Sequence, residues 1–277
     1  MSIFFNLNGV IHKEGDPVIS VDNRSFRYGD GLFETMKYVN GKILFKDLHF
    51  QRLFAGMFVL NIDAPAYLTP AYLEEEILIL CKKNSHLNTT RVRLTIFRGK
   101  DDLQESNIPG FIIQTWMIND AIQLNTEGLE IDIYPIARKS CDRFSNIKSN
   151  NFLPYVMASL YANANNLHDC LVLNTHERIC ESTIANVFII KDKIIFTPPL
   201  SEGCVAGVVR KWILQNVKLL QYHIIEKPLN PSDLLEADEI FLTNAIRHIR
   251  WVKQLGNTRY HNQDTLLFHR NFIKSIN

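Results

Sequence analysis

Apolar and polar positions alternate with two different periods along this chain, and the switches between them mark its elements. Ile3-Phe4-Phe5 and Val10-Ile11 flank Asn8-Gly9, a pair suited to a tight hairpin turn, so residues 3–12 are predicted to pair on themselves. Val18-Ile19-Ser20-Val21 and residues 33–39 are predicted strands, and Asn40-Gly41 closes the second with another hairpin turn. Leu48, Phe50, Leu53, Phe54, Met57 and Phe58 then recur near helical spacing behind Asp47, the expected N-cap. His49 and Arg52 stand three apart on that helix and are expected to form a surface pair. Thr69-Pro70 opens a second helix carrying Leu73, Ile77 and Leu80. Val92, Leu94 and Ile96 alternate as in a strand, and a polar loop over 98–110 leads to a strand at 111–117.

The periodicity lapses over 118–128, which is the expected linker between a smaller domain at 1–117 and a larger one at 129–277. Beyond it come a strand at 129–134, a helix at 152–165, and short strands at 170–173, 186–190 and 194–197. Val209, Ile213, Val217 and Leu220 give one helix, starting near Gly207, an apolar face, and residues 238–244 read as a strand with a polar end. Strands and helices mixed in two halves imply an α+β (mixed α/β) fold and not a doubly wound sheet.

Composition narrows the partners. The 277 residues are 46% hydrophobic and 21% charged, with a net charge of +1, so nothing favours nucleic acid or an anionic membrane surface. No apolar run is long enough for a bilayer, and the first residues lack a basic leader and cleavage site, so no signal peptide is expected. Five scattered cysteines without a Cys-x-x-Cys pair imply free thiols, a reducing cytoplasmic setting and no metal centre.

The chemistry centres on Asn146-Ile147-Lys148-Ser149-Asn150-Asn151. A lysine in a polar segment ahead of a helix can hold an aldehyde cofactor, provided that desolvation or nearby positive charge frees its amine near neutrality. Such a cofactor also needs an acid at its ring nitrogen, a cation at its phosphate and backbone N–H groups from a helix start. The sequence offers a candidate for each, the downstream Glu181 among them. The glycines of Gly29-Asp30-Gly31 allow a backbone path that a β-carbon would forbid, feeding the strand at Phe33-Glu34-Thr35.

Taken in order, Arg-x-x-x-x-Gly-Asp-Gly-x-Phe-Glu-Thr, His-x-x-Arg-Leu, Ile-Lys-Ser, Glu-x-x-x-x-Asn-Val-Phe, Gly-Val-Val-Arg and Ala-Asp-Glu-Ile-Phe resemble the fold-type-IV enzymes of pyridoxal phosphate. That family includes branched-chain and D-amino-acid aminotransferases and 4-amino-4-deoxychorismate lyase, and the resemblance runs from Asn8-Gly9 to about Val252. It implies a two-domain fold with the cofactor in the interdomain cleft, a homodimer and a small-molecule substrate. It implies that Lys148 binds the cofactor covalently and moves the proton, that Arg52 binds the phosphate, and that Glu181 meets the ring nitrogen. Val208 and Val209 match the phosphate-cradling helix start, Asn244 and Ala245 a further phosphate contact, and Asn151 an asparagine of the lyase and D-amino-acid enzymes. Thr35 stands where the lyase has a threonine proposed to assist proton transfer, while Phe33 and Arg98 are candidates to meet substrate.

Two departures bear on the reaction. The branched-chain enzymes carry a tyrosine five residues after the lysine, where this chain has Leu153, and the Arg-x-His carboxylate trap of the D-amino-acid enzymes is missing from Arg98-Gly99-Lys100. Val205-Ala206-Gly207-Val208-Val209-Arg210 is similar to the lyase's phosphate turn, whereas Glu34 replaces a second threonine of some lyases. The resemblance therefore implies 4-amino-4-deoxychorismate lyase, a step toward folate, with an aminotransferase as the alternative and a catalytically silent homologue behind both.

Overall fold

In the first of two compact units, six antiparallel strands lie in the spatial order Val10–Lys13, Phe4–Leu7, Pro109–Met117, Thr89–Arg98, Gly31–Val39 and Lys42–Ile43. The structure, a computed structural model, describes residues 4–98, 109–119 and 124–276. Ile3 of the first predicted hairpin, residues 99–108 of the predicted loop and residues 120–123 of the predicted linker lie outside them. The first unit comprises Met1–Asp120 and Ile147–Phe152, the second Ala121–Asn146 and Leu153–Asn277. The lysine segment, assigned by sequence to the second half, thus belongs with the first.

One face of the six-stranded sheet is covered by the helices Lys46–Val59 and Pro70–Lys83. Phe50, Leu53 and Met57 of one and Leu73, Ile77 and Leu80 of the other share a core with Leu32, Met36, Val92, Leu94 and Ile113. Each such side chain contributes about 1.5–3 kcal/mol on burial. Because a strand alternates, the core takes Leu32, Glu34 and Met36, and the opposite face carries Phe33, Thr35 and Lys37. The first helix starts one residue ahead of the expected cap, after Phe45 at φ 55°, and Asp47 sits in its first turn. Phe58 lies off its apolar stripe and is exposed.

No strand forms at Val18–Val21. The Ser20 hydroxyl takes the Asp22 N–H, and Asn23 Oδ1 takes the Phe26 N–H at 3.1 Å, capping the helix Arg24–Tyr28. These local side-chain bonds offer the backbone a turn in place of a ladder. Gly29, at φ 68°, ends that helix and returns the chain to the sheet.

The two-residue strand Lys42–Ile43 covers only Tyr38 and Val39, so the start of Gly31–Val39 keeps an open edge. The lysine segment pairs there. Phe33 N donates to Lys148 O at 2.9 Å, Asn150 N donates to Gly31 O at 2.9 Å, and Leu32 faces Ser149 in an antiparallel bridge. Asn150 Nδ2 adds a bond to Ser25 Oγ at 2.8 Å. Ile147 packs against the same core.

The second unit holds a nine-stranded mixed sheet. Its path is His223–Glu226, Ile194–Thr197, Asn186–Lys191, Glu239–Asn244, His248–Leu255, Leu129–Lys139, Asp169–Asn174 and Ile179–Ser182, with Thr258–Arg259 pairing His248–Leu255. Three pairings are parallel and the rest antiparallel, as an α+β chain allows. The helix expected from Gly207 to Leu220 breaks at Asn216 into Val208–Gln215 and Val217–Leu220. The C-terminal helix Gln263–Ile276 had no sequence expectation; the buried carboxylate of Glu239 accepts its Asp264 and Thr265 N–H groups.

A β-carbon on Gly31 would come within 2.5 Å of Ile96 O and 2.7 Å of Asn150 Nδ2. Gly31→Ala should therefore push the lysine segment off the sheet edge and cost on the order of 2 kcal/mol. Thermal denaturation reads this as a drop of several degrees; an unchanged melting temperature would show that the edge pairing is slack.

Candidate active site

Edge pairing fixes where the lysine side chain goes. In this register Lys148 stands opposite Phe33, so both side chains leave the same face of the sheet. Lys148 Nζ lies 4.5 Å from the centroid of the Phe33 ring and 5.9 Å from that of Phe152, and the two rings meet edge to face. Thr35, two residues along the strand, shares that face and is paired across it with Arg93.

Arg93 was not anticipated from the sequence. Its guanidinium carbon lies 3.8 Å from the Phe33 centroid, and its Nε donates to Thr95 Oγ1 at 3.3 Å. Among the described residues it forms no ion pair. Burial first, and then Arg91, disfavour its charge. A half-buried guanidinium of this kind is a place for a carboxylate. The signal was present, because Arg93 occupies a polar-face position of a predicted strand, but only the register brings it beside Phe33.

Glu34 faces the other way. Its buried carboxylate accepts from Arg52 Nε at 2.7 Å and Arg52 Nη2 at 2.5 Å, and it meets His49 Nδ1 at 2.6 Å. Burial would raise its pKa, but Arg52 and His49 hold it down to about 2. Burial likewise lowers the pKa of His49, against the pull of Glu34. The expected surface pair of His49 and Arg52 is thus a buried knot that binds helix to sheet, and Arg52 is oriented by Glu34. Arg98 also takes a scaffolding place, bonding Asp30 at 3.0 Å, Asn61 O at 2.9 Å and Leu60 O at 2.6 Å.

In the second unit, the strands Leu129–Lys139, Ile179–Ser182 and Asn186–Lys191 bring Lys139, Glu181 and Asn186 together. Glu181 Oε1 accepts from Lys139 Nζ at 2.7 Å, Tyr155 Oη at 2.6 Å and Val205 N at 2.9 Å. Lys139 and Tyr155 were missed because neither occupies a recognisable motif. Gly207 caps the helix Val208–Gln215 without any side-chain bond. A β-carbon there would meet Asn186 Oδ1 at 1.8 Å, so the helix start needs glycine to come this close. Thr243, the cross-strand partner of Asn186, has a buried hydroxyl with no hydrogen-bond partner among the described residues.

An uncapped helix start beside an orphaned hydroxyl fits a phosphate group, and a carboxylate with one less-engaged oxygen fits a ring N–H. These residues of the second unit are therefore of the kinds that the expected cofactor needs. Asn244 turns its Oδ1 back onto the Ile246 and Arg247 N–H groups, leaving Ala245 in the turn. Asn151 is exposed and makes no hydrogen bond among the described residues. No described group of His, Cys, Asp and Glu could hold a metal ion, and no described helix is long and apolar enough to cross a membrane.

Known proteins resemble this chain over most of its length. An aminodeoxychorismate lyase of Bacillus subtilis is 28% identical over 93% of this chain and 88% of its own. A D-alanine aminotransferase of Listeria monocytogenes is 26% identical over 100% of this chain and 96% of its own. The branched-chain amino acid aminotransferase of Escherichia coli shares the fold at a TM-score of 0.88. It is 20% identical, covering 100% of this chain and 95% of that one. Residues 31–255 match the amino-transferase class IV family, and the chain belongs to it.

Proposed function

We propose that this enzyme is a pyridoxal-phosphate-dependent 4-amino-4-deoxychorismate lyase, releasing pyruvate and 4-aminobenzoate. The observation that carries this reading is the split between Thr35 and Glu34. Thr35 shares the sheet face of Phe33, over which the Lys148 amine lies, while Glu34 is turned to the helix face and bound by Arg52 and His49. The glutamate that replaces a second threonine thus faces away from the lysine amine and orients Arg52 instead. The hydroxyl that a lyase would use stands on the lysine's side.

Two further features favour the lyase over the aminotransferases. Arg98 is bonded to Asp30, Leu60 and Asn61 and is not available as the arginine of a carboxylate trap. Leu153, at the position of the branched-chain enzymes' tyrosine, is 67% exposed. The alternative reading, an aminotransferase, rests on relatives of comparable similarity.

Pyridoxal phosphate, when bound, supplies an electron sink for negative charge developing on the substrate's carbon. Lys148 would hold it and carry the proton at Nζ, with the Thr35 hydroxyl as a second proton carrier on the same face. Glu181 would accept the ring N–H, and Arg52 with the Val208 and Val209 N–H groups would take the phosphate. Arg93 would draw a substrate carboxylate toward Phe33.

A second copy of the chain is part of this proposal. Leu153, Val156, Met157 and Leu160 form one exposed stripe of the helix Leu153–Ala164, and no charged residue occurs from Ser149 to Leu167. A charge-free apolar face of this extent calls for an apolar partner, and a two-fold pairing supplies one. The predicted contribution of the loop at 98–110 to the partner's site falls on residues 99–108, outside those described.

Purified enzyme supplied with 4-amino-4-deoxychorismate alone should form pyruvate without any 2-oxo acid acceptor. Glutamate formation from an amino acid and 2-oxoglutarate, with no pyruvate, would instead establish the aminotransferase. Lys148→Ala should abolish the cofactor's visible absorbance and reduce turnover by at least about 10³-fold, whereas Thr35→Val should slow turnover about 10²-fold with the absorbance kept. Light scattering should give twice the 32.0 kDa chain mass, falling to a single mass in Leu160→Glu; a fully active monomer of the native chain rules the dimer out.

A further inference from the structure

Glu181 is held unequally at its two oxygens. Oε1 takes three donors, Lys139 Nζ, Tyr155 Oη and Val205 N, all within 2.9 Å. Among the described residues Oε2 has only Asn186 Nδ2 at 3.4 Å, and that amide has its shorter bond, 2.9 Å, to Val205 O. The cation reaches this place by strand alternation. Arg138 and Lys139 end the strand Leu129–Lys139 on opposite faces, Arg138 with the exposed Glu177 and Lys139 with the buried Glu181. A carboxylate so enclosed, lacking a nearby cation, would take up a proton to avoid a buried charge.

We propose that Lys139 is a positioning residue whose ammonium keeps the buried Glu181 carboxylate charged and turned, with Oε1 occupied and Oε2 presented to a ring N–H donor. This rests on the reading of Glu181 as the acceptor for the cofactor's ring nitrogen. The titratable groups facing Glu181 are Lys139, Tyr155, Cys180 and Cys204. Burial, reinforced by Glu181 itself, raises the Tyr155 phenol and both thiols, Cys204 to about 12, so all three remain neutral at physiological pH. Burial opposes the charge on Lys139, but the Glu181 carboxylate outweighs it and raises the amine's pKa. Lys139 is therefore the cation on which Glu181 depends.

The test uses the cofactor-free full chain, unfolded by urea at pH 5 and pH 8, as wild type, Lys139→Met, Lys139→Arg and Lys139→Met/Glu181→Gln. Lys139→Met would leave the Glu181 carboxylate buried without its cation, a burial that favours the neutral acid in the folded chain alone. The native chain then binds the proton more tightly, and stability present near pH 5 is lost as pH rises. Relative to wild type, the folding constant of Lys139→Met should fall about tenfold from pH 5 to pH 8. Lys139→Arg should follow wild type, and Glu181→Gln in the Met background should remove the slope. A Met variant that folds at pH 5 but not at pH 8 is the same result in stronger form.

Titration of the same proteins with pyridoxal 5'-phosphate supplies the second readout. Relative to wild type, Lys139→Met should lose about tenfold in affinity from pH 8 to pH 5, because the proton on Glu181 must leave before the ring N–H can bind. Parallel stability profiles for Lys139→Met and wild type, a slope that survives Glu181→Gln, or an unchanged pH dependence of cofactor affinity would each overturn the proposal. Failure of wild type to bind the cofactor would instead sink the reading of the site while leaving the stability result standing.

Discussion

The place of the lysine in this enzyme depends on a short backbone pairing. Two hydrogen bonds and one bridge, between Gly31–Phe33 and Lys148–Asn150, bring a segment more than a hundred residues away onto an open sheet edge. The pairing sets the register, and the register sets the face. Moving it by one residue would turn Lys148 toward the helices and leave Ser149 over Phe33. The small residues nearby follow from this: Gly31 lets the backbones approach, Gly29 carries the chain into the turn, and Asn150 adds a side-chain bond to Ser25.

Charge is sorted around the same logic. In the first unit the buried Glu34 is matched with Arg52 and His49, and in the second the buried Glu181 is matched with Lys139. Removing one partner of such a pair costs about 3–5 kcal/mol, so these contacts hold geometry as much as they hold charge. Arg93 differs, since its guanidinium rests on the Phe33 ring, which the Lys148 amine also meets, with no ion-paired carboxylate among the described residues.

Much of this was legible in the sequence, where local pattern and global fold agree. The helices behind Thr69-Pro70 and around Leu53, the strand at Phe33 and the strand into Asn244 follow directly from periodicity and turn residues. The failures are local competitions that a period does not reveal. Asn23 and Ser20 took the backbone of Val18–Val21 into a helix cap, and Asn216 split one helix into two. The burial of His49 was hidden because its partner, Glu34, is distant in sequence and only strand alternation directs it inward. Lys139, Tyr155 and Arg93 lie outside any motif, and only the fold brings the first two to Glu181 and the third to Phe33.

The central claim is that the edge-held lysine is the residue that binds the cofactor covalently. Borohydride reduction of the pyridoxal-phosphate-loaded enzyme, followed by digestion and mass mapping, tests it most directly. The reduced cofactor should be found on a single peptide, at Lys148. Its recovery at Lys139, Lys37 or any other lysine, or on no peptide at all, would contradict the account.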